Sequence, residues 1–219
     1  MSTVEATGRG DHSRLMDQVY RHQRHIYDAT RKYYLLGRDR AIAGLDLAPG
    51  QSLLEIGCGT GRNLAVIARH YPAARLFGLD ISAEMLATAR RKLAGLPNAV
   101  DLRERDASRF VPGDFAESGF DRIMISYALS MIPDWERTAA ASLAALKPGG
   151  SLHIADFGQQ EGLPRWFGAL LRAWLRRFHV TPRANLESVL YAMIDGAPYR
   201  LEFSRHARGY AWIAVIRRF

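Results

Sequence analysis

Short apolar runs alternate along the chain with stretches in which apolar residues recur every three or four positions. Ser52 to Ile56, Arg75 to Leu79, Val100 to Glu104, Phe120 to Tyr127 and Ser151 to Phe157 have the length and apolar content of buried strands. Between them, Asn63 to His70, Ser82 to Leu93 and Trp135 to Leu146 follow the helical period. Ser82 is the expected N-cap of the second of these, which carries Met85, Leu86, Ala89 and Leu93 on one face. The turn Lys147-Pro148-Gly149-Gly150 is the expected stop of the third. Such alternation predicts an α/β fold with a mostly parallel sheet covered on both faces. Near the end, Leu186 to Ile194 reads as a helix, and Tyr199 to His206 with Tyr210 to Arg217 as an antiparallel hairpin about Arg208-Gly209. Ahead of the sheet, about Asp11 to Ala43 lacks proline and has a mixed helical rhythm, which predicts one or two helices. On a continuous helix Tyr20, Tyr27 and Tyr34, seven apart, share one stripe.

Composition narrows the class. At 219 residues, 48% hydrophobic and 24% charged, the chain is long enough for one folded domain with a single core. Its one cysteine, Cys58, has no internal partner, and no His/Cys cluster has the spacing of a zinc site, so a reducing compartment and no metal are expected. The longest uncharged run, Ile123 to Pro133, is far short of the ~20 apolar residues that span a bilayer. The opening MSTVEATGRGDH has no apolar signal core, which predicts a cytoplasmic protein. Charge changes the picture more. The net charge is +8, and residues 158–219 hold ten Lys/Arg against four Asp/Glu, while residues 51–157 hold twelve of each. A basic C-terminal quarter needs an acidic partner: nucleic acid, an anionic membrane or an acidic substrate.

The candidate chemistry lies in the turn after the first strand, Glu55-Ile56-Gly57-Cys58-Gly59-Thr60-Gly61-Arg62-Asn63. Alternate glycines let a ligand lie against the backbone and the following helix N-terminus. The spacing is not the GxGxxG of dinucleotide enzymes, and no GKT or GKS follows, so this is not a phosphate loop. Asp80 ends the second strand about twenty residues on, where a carboxylate can bind ribose hydroxyls, and Asp106 follows the third strand. Three ligand-facing signals at successive strand ends point to a crevice beyond the strand C-termini.

These segments resemble the class I S-adenosylmethionine-dependent methyltransferases. LLEIGCGTGRNL is similar to their first motif, FGLDIS to the second, ERDAS to the third, FDRIMISYAL to the fourth and LKPGGSLHIADF to the fifth. The resemblance implies a Rossmann-like fold with a seven-stranded, mostly parallel sheet, an antiparallel C-terminal hairpin and S-adenosyl-L-methionine as cofactor. It further implies that Gly57, Gly59 and Gly61 contact the methionine part, Glu55 supports its amino group, and Asp80 holds the ribose. Ile81 is expected on the adenine face and Asp106 with Ala107 at the adenine edge; Tyr20, Cys58, Met85 and Ser126 complete the cofactor set. By the same resemblance residues 1–48 form a helical lid, 49–157 the cofactor core, 158–183 an insertion, and 184–219 the C-terminal helix and hairpin.

The run from Tyr20 to Arg40, YRHQRHIYDATRKYYLLGRDR, resembles the BtaB-type N-methyltransferases of bacterial betaine-lipid synthesis. That likeness implies successive N-methylation of diacylglyceryl-homoserine, with the enzyme that forms the homoserine lipid as pathway neighbour. A phosphatidylethanolamine N-methyltransferase and a small-molecule or quinone methyltransferase are the alternatives.

Arranged at 100° per residue, the insertion Gly158 to Arg183 places Arg165, Arg172 and Arg176 together, with Trp166, Phe167, Leu170, Leu171, Trp174, Leu175 and Phe178 opposite. No acid lies between Glu161 and Glu187. This is the pattern of a helix in an anionic membrane interface, which predicts peripheral attachment to the inner face of the cytoplasmic membrane; a helix docked on the core is the alternative. An apolar face would be wasted on phosphates, so nucleic acid is not an expected partner.

A cationic methyl donor and a quaternary product favour aromatic faces, making Tyr27, Tyr34 and Tyr127 the expected catalytic residues, with Tyr20 as a further candidate. An acceptor carboxylate needs a cation, which Arg31, Lys32, Arg38 or Arg208 would supply. His153 reads as a strand histidine rather than a base.

Overall fold

The computed structural model describes residues 35–96, 98–178 and 180–219. In chain order these form α1 (Arg38–Ala43), β1 (Ser52–Ile56), α2 (Arg62–His70), β2 (Arg75–Asp80), α3 (Ala83–Leu93), β3 (Val100–Glu104), a 3-10 turn (Pro112–Phe115), β4 (Phe120–Ser126) and α4 (Trp135–Ala144). There follow β5 (Leu146–Phe157), α5 (Arg165–Arg176), α6 (Leu186–Ile194), β6 (Tyr199–His206) and β7 (Ala211–Arg218). Of the expected N-terminal helices only α1 falls within the described residues. Tyr20, Tyr27, Arg31, Lys32 and Tyr34 lie outside them.

The strands make one sheet in the order β3-β2-β1-β4-β5-β7-β6. Only β7 runs against its neighbours, pairing antiparallel with both β5 and β6. The fold class is therefore the expected one. The order reverses between β1 and β4, whose registers run Leu53↔Arg122 to Ile56↔Ile125. An open α/β sheet forms a crevice at that point, beyond the strand C-termini.

Two cores cover the two faces, and β1 shows how the sequence divides between them. All five of its residues are buried. Leu53 faces Ala41, Ile42, Leu64, Ile67, Leu86, Ala89 and Leu93, whereas Leu54 and Ile56 face Trp135, Ala139, Leu143, Leu186 and Leu190. Each such side chain removed from water contributes about 1.5–3 kcal/mol. Phe77, Phe115 and Phe120 meet edge to face on the second side, with centroids 5.4–5.8 Å apart.

The structure corrects one boundary. Lys147-Pro148-Gly149-Gly150 belongs to β5 rather than ending a helix, and α4 stops at Ala144. The partners of β4 jump from Phe120↔Leu146 to Arg122↔Ser151, with Gly149 at φ 75°. The turn-forming residues make a bulge inside a strand.

Helix α5 also differs from expectation. Its apolar half divides into two sides. Phe167, Leu171, Leu175 and, just beyond the helix, Phe178 pack into a third core with Tyr127, Phe157, Val180 and Tyr210. Trp166, Leu170 and Trp174 turn outward, 69%, 65% and 37% exposed. Docking and exposure, alternatives in the sequence, are two sides of one helix.

Candidate functional site

From Ile56 the chain turns through Gly57, Cys58, Gly59, Thr60 and Gly61 into α2. Gly57, Gly59 and Gly61 all have positive φ, at 66°, 54° and 73°, a region that disfavours any side chain. At Gly57 a side chain is also excluded by space, because a Cβ there would stand 2.7 Å from the Ala128 methyl. Backbone N–H of Cys58 donates to Leu79 O at 3.0 Å, tying the turn to β2. Cys58 itself packs into the core under α2 and α3, and burial pushes its thiol up. Its backbone belongs to the turn, while its sulfur is inert packing.

Asp80 fixes the turn from the neighbouring strand. Its Oδ2 accepts the Gly59 N–H at 2.8 Å and its Oδ1 the Ser82 N–H at 3.0 Å. Ser82 caps α3 as expected, accepting from Met85 N at 3.3 Å. Met85 is buried and Ile81 half-buried beside it. Asp106 closes its own turn, its Oδ1 accepting from both Ser108 N (2.9 Å) and Ser108 Oγ (2.8 Å), while Oδ2 has no hydrogen bond among the described residues. Ala107 is buried next to it. The expected nucleoside residues thus stand at the ends of β2 and β3.

Glu55 is 1% exposed, on β1 just before the turn. Asn63 Nδ2, from the first turn of α2, donates to its Oε1 at 2.6 Å, and its Oε2 has no hydrogen-bond partner among the described residues. Burial pushes the carboxyl up to about 8, against the opposing pull of Asn63 and of the nearby Arg38. A buried acid with an open oxygen can hold a cationic donor once it is ionised.

Ser126 ends β4 across from this group, and its Oγ too lacks a partner among the described residues. Tyr127 follows at φ 54°, a conformation that costs a non-glycine residue of order 1–3 kcal/mol and gathers at functional sites. Its N–H donates to Ala155 O at 2.7 Å and its hydroxyl to the carbonyl of Leu36. Burial drives the phenol far above its ordinary value, so it remains a proton donor committed to Leu36. Tyr127 is thus no base, and its ring is packed in the third core. The ring meets Phe157 edge-on at 4.7 Å, Phe157 meets Tyr210 at 6.0 Å, and Tyr210 meets Phe167 of α5 at 6.4 Å.

Arg38 is 7% exposed at the start of α1. Arg208 is exposed in the β6–β7 turn at the same end of the sheet, where its carbonyl accepts the Gly162 N–H. His153 is a buried strand residue bonded to Ser151 Oγ at 2.8 Å, held down to about 4 chiefly by burial and hence neutral.

Two residues escaped sequence reasoning. Asn63 reads there as an ordinary first-turn residue. Asp156 is buried at the end of β5, its Oδ2 accepting Ser130 N–H at 3.0 Å and its Oδ1 Phe157 N–H at 2.7 Å. It pins the loop that carries Ala128 over Gly57. Burial raises its carboxyl. An acid inside the apolar run Ser151–Phe157 was the available signal.

Among the described residues no group of His, Cys, Asp and Glu has the arrangement of a metal site, and no helix is long and apolar enough to cross a membrane.

Residues 53–150 match the family of methyltransferase domains. A demethylmenaquinone methyltransferase of Desulfitobacterium hafniense is 30% identical over 125 residues, covering 56% of this chain and 48% of that protein. A phosphatidylethanolamine N-methyltransferase of Cereibacter sphaeroides is 32% identical over 118 residues, covering 52% and 55%. The chain thus spans about half the length of these relatives. In fold it is similar to the plantazolicin methyltransferase BpumL, solved with S-adenosylhomocysteine (SAH) and a desmethyl-plantazolicin analogue, at TM-score 0.68 and 14% identity over 98% of both chains.

Proposed function

We propose that this chain, which carries a class I S-adenosylmethionine-dependent methyltransferase domain, transfers methyl groups from S-adenosylmethionine to the amine of a membrane lipid. The observation that carries the cofactor assignment is the open Oε2 of Glu55 beside a glycine turn that Asp80 clamps through Gly59. These residues fit the cofactor's three parts. Gly57, Gly59 and Gly61 leave backbone open to the methionine chain, Glu55 receives its ammonium, and Asp80 accepts the ribose hydroxyls. Ile81, Met85, Asp106 and Ala107 border the adenine.

The cofactor supplies a methyl group on a sulfonium sulfur. Transferred to the acceptor nitrogen, that methyl would leave the sulfur as a thioether, and the amine's proton would pass to water. What the protein must provide is position and dryness. His153 is buried and the Tyr127 hydroxyl is committed, so neither serves as base.

A lipid acceptor is supported by three things: the likeness of the Tyr20–Arg40 run to betaine-lipid enzymes, the similarity to a phosphatidylethanolamine N-methyltransferase, and the outward side of α5. Trp166, Leu170 and Trp174 are exposed there, and Arg165, Arg172 and Arg176, on a separate arc of the helix, are exposed as well. Tryptophan and leucine insert at the interface, and arginines near anionic headgroups contribute about 1 kcal/mol each. The reading is further supported by the packing of the docked side of α5 in the same core as Tyr127, at the end of β4. Diacylglyceryl-homoserine is the acceptor of choice, and the protein works at the inner face of the cytoplasmic membrane.

Expressing the chain in a betaine-lipid-free host together with the homoserine-lipid-forming enzyme tests the assignment. The trimethylated homoserine lipid should appear by mass spectrometry. Its absence, with methylated phosphatidylethanolamine or quinone in its place, assigns one of those acceptors instead.

A further inference from the structure

The loop of residues 128–132 follows Tyr127 and carries the Ala128 methyl over Gly57. Segments from elsewhere in the chain hold its backbone. Asp156, at the end of β5, takes the Ser130 N–H at 3.0 Å. The carbonyls go to the stretch that follows α5. Thr181 N–H donates to Ser130 O at 2.8 Å, and the Arg183 guanidinium donates from Nε to Leu129 O at 3.0 Å and from Nη2 to Ile132 O at 2.7 Å. The same guanidinium lies 5.9 Å from the centroid of the Trp135 ring, at the first residue of α4. One half-buried side chain therefore joins two carbonyls of the loop to the helix that the loop leads into.

A planar fork of N–H donors fixes two carbonyls in orientation as well as distance, which a single ammonium on a flexible stem does not. Asp156 holds the loop by an N–H and Arg183 by two carbonyls, and each of the two favours the other's ionised form. We propose that Arg183 is a positioning residue for methyl transfer: by spanning Leu129 O and Ile132 O it sets how closely Ala128 stands over Gly57, and with it the alignment of the acceptor against the cofactor's methyl. A displacement of about 1 Å at such a place slows a reaction on the order of a hundredfold. This rests on the methyltransferase reading above and not on the choice of acceptor.

Arg183→Gln and Arg183→Lys in the full chain test this. Turnover is followed with methyl-labelled S-adenosylmethionine on vesicles holding diacylglyceryl-homoserine, phosphatidylethanolamine or a demethylated quinone. Arg183→Gln should lower kcat about tenfold or more while KM for the acceptor and the dissociation constant of SAH stay within about threefold, and Arg183→Lys should recover part of the loss. Hydrogen exchange of the Ser130, Met131 and Ile132 amides should quicken in Arg183→Gln, with that of β1 unchanged. A fall in kcat matched by weaker SAH binding and by faster exchange throughout the sheet would make Arg183 a structural residue. Unchanged kcat, or unchanged exchange in the loop, would overturn the proposal. Wild type that methylates only one of the other two acceptors would overturn the choice of lipid and not the role of Arg183, which is then read on that acceptor.

Discussion

Asn63 Nδ2 donates to Glu55 Oε1 at 2.6 Å in a place that water does not reach, fixing the carboxylate one step before the glycine turn. Without a ligand, burial pushes Glu55 up to about 8, against the pull of Asn63 and Arg38 and with the repulsion of Asp80. The folded chain therefore holds a proton that the unfolded chain releases near 4.5, and Glu55's contribution to stability falls as pH rises from there through about 8. An ammonium on Oε2 requires the carboxylate. Cofactor binding at pH 7 should expel close to one proton, read as a difference in calorimetric heat between phosphate and Tris buffers. Glu55→Gln should abolish that difference; an unchanged proton count in the variant would remove Glu55 from the site.

Gly57 faces two penalties at once, a φ of 66° and the Ala128 methyl. Gly57→Ala should cost about 1–2 kcal/mol for the left-handed backbone and more for the collision. Adding Ala128→Gly should restore the second part only. Denaturant unfolding of the single and double variants checks this, and full recovery in the double variant would mean that the backbone carries no strain.

The parallel sheet, its two cores and the glycine turn could be read from the sequence because each rests on a local signal: apolar runs of strand length, helical periodicity, glycines at alternate positions. The bulge at Lys147–Gly150 could not, since the same residues favour a free turn until the pairing of β4 with β5 draws them into the sheet. The division of α5 was hidden as well. Periodicity gives an apolar arc, but only the third core shows that Phe167 and Leu171 face inward while Trp166 and Leu170 do not. The position of Asp106 after β3 was legible, but not that Ser108 holds one of its oxygens.

The two sides of α5 should separate in mutation. Serine at Phe167 and Leu171 should lower the melting temperature by several degrees, through lost apolar burial of about 1.5–3 kcal/mol per residue. Serine at Trp166, Leu170 and Trp174 should leave the melting temperature within a degree or two. It should also abolish sedimentation with phosphatidylglycerol vesicles, which wild type should show at low salt and lose in part as salt rises. Wild type that ignores anionic vesicles would leave the exposed side without its lipid partner.

His153, held down to about 4, is uncharged at neutral pH. Because its folded value lies below the ordinary 6.5, the stability it contributes is present above 6.5 and lost as pH falls toward 4. His153→Gln should flatten acid unfolding over that window and leave turnover within about twofold. A large fall in kcat at unchanged stability would return His153 to the mechanism.

The account stands or falls on where the methyl group goes. Wild-type protein incubated with methyl-labelled S-adenosylmethionine and vesicles of phosphatidylglycerol containing diacylglyceryl-homoserine should move label into the organic phase as mono-, di- and trimethylated lipid. The Trp166, Leu170 and Trp174 serine variant should slow that transfer by at least tenfold. No label in the lipid, or label in soluble homoserine at the same rate, would contradict the assignment to a membrane-embedded amine.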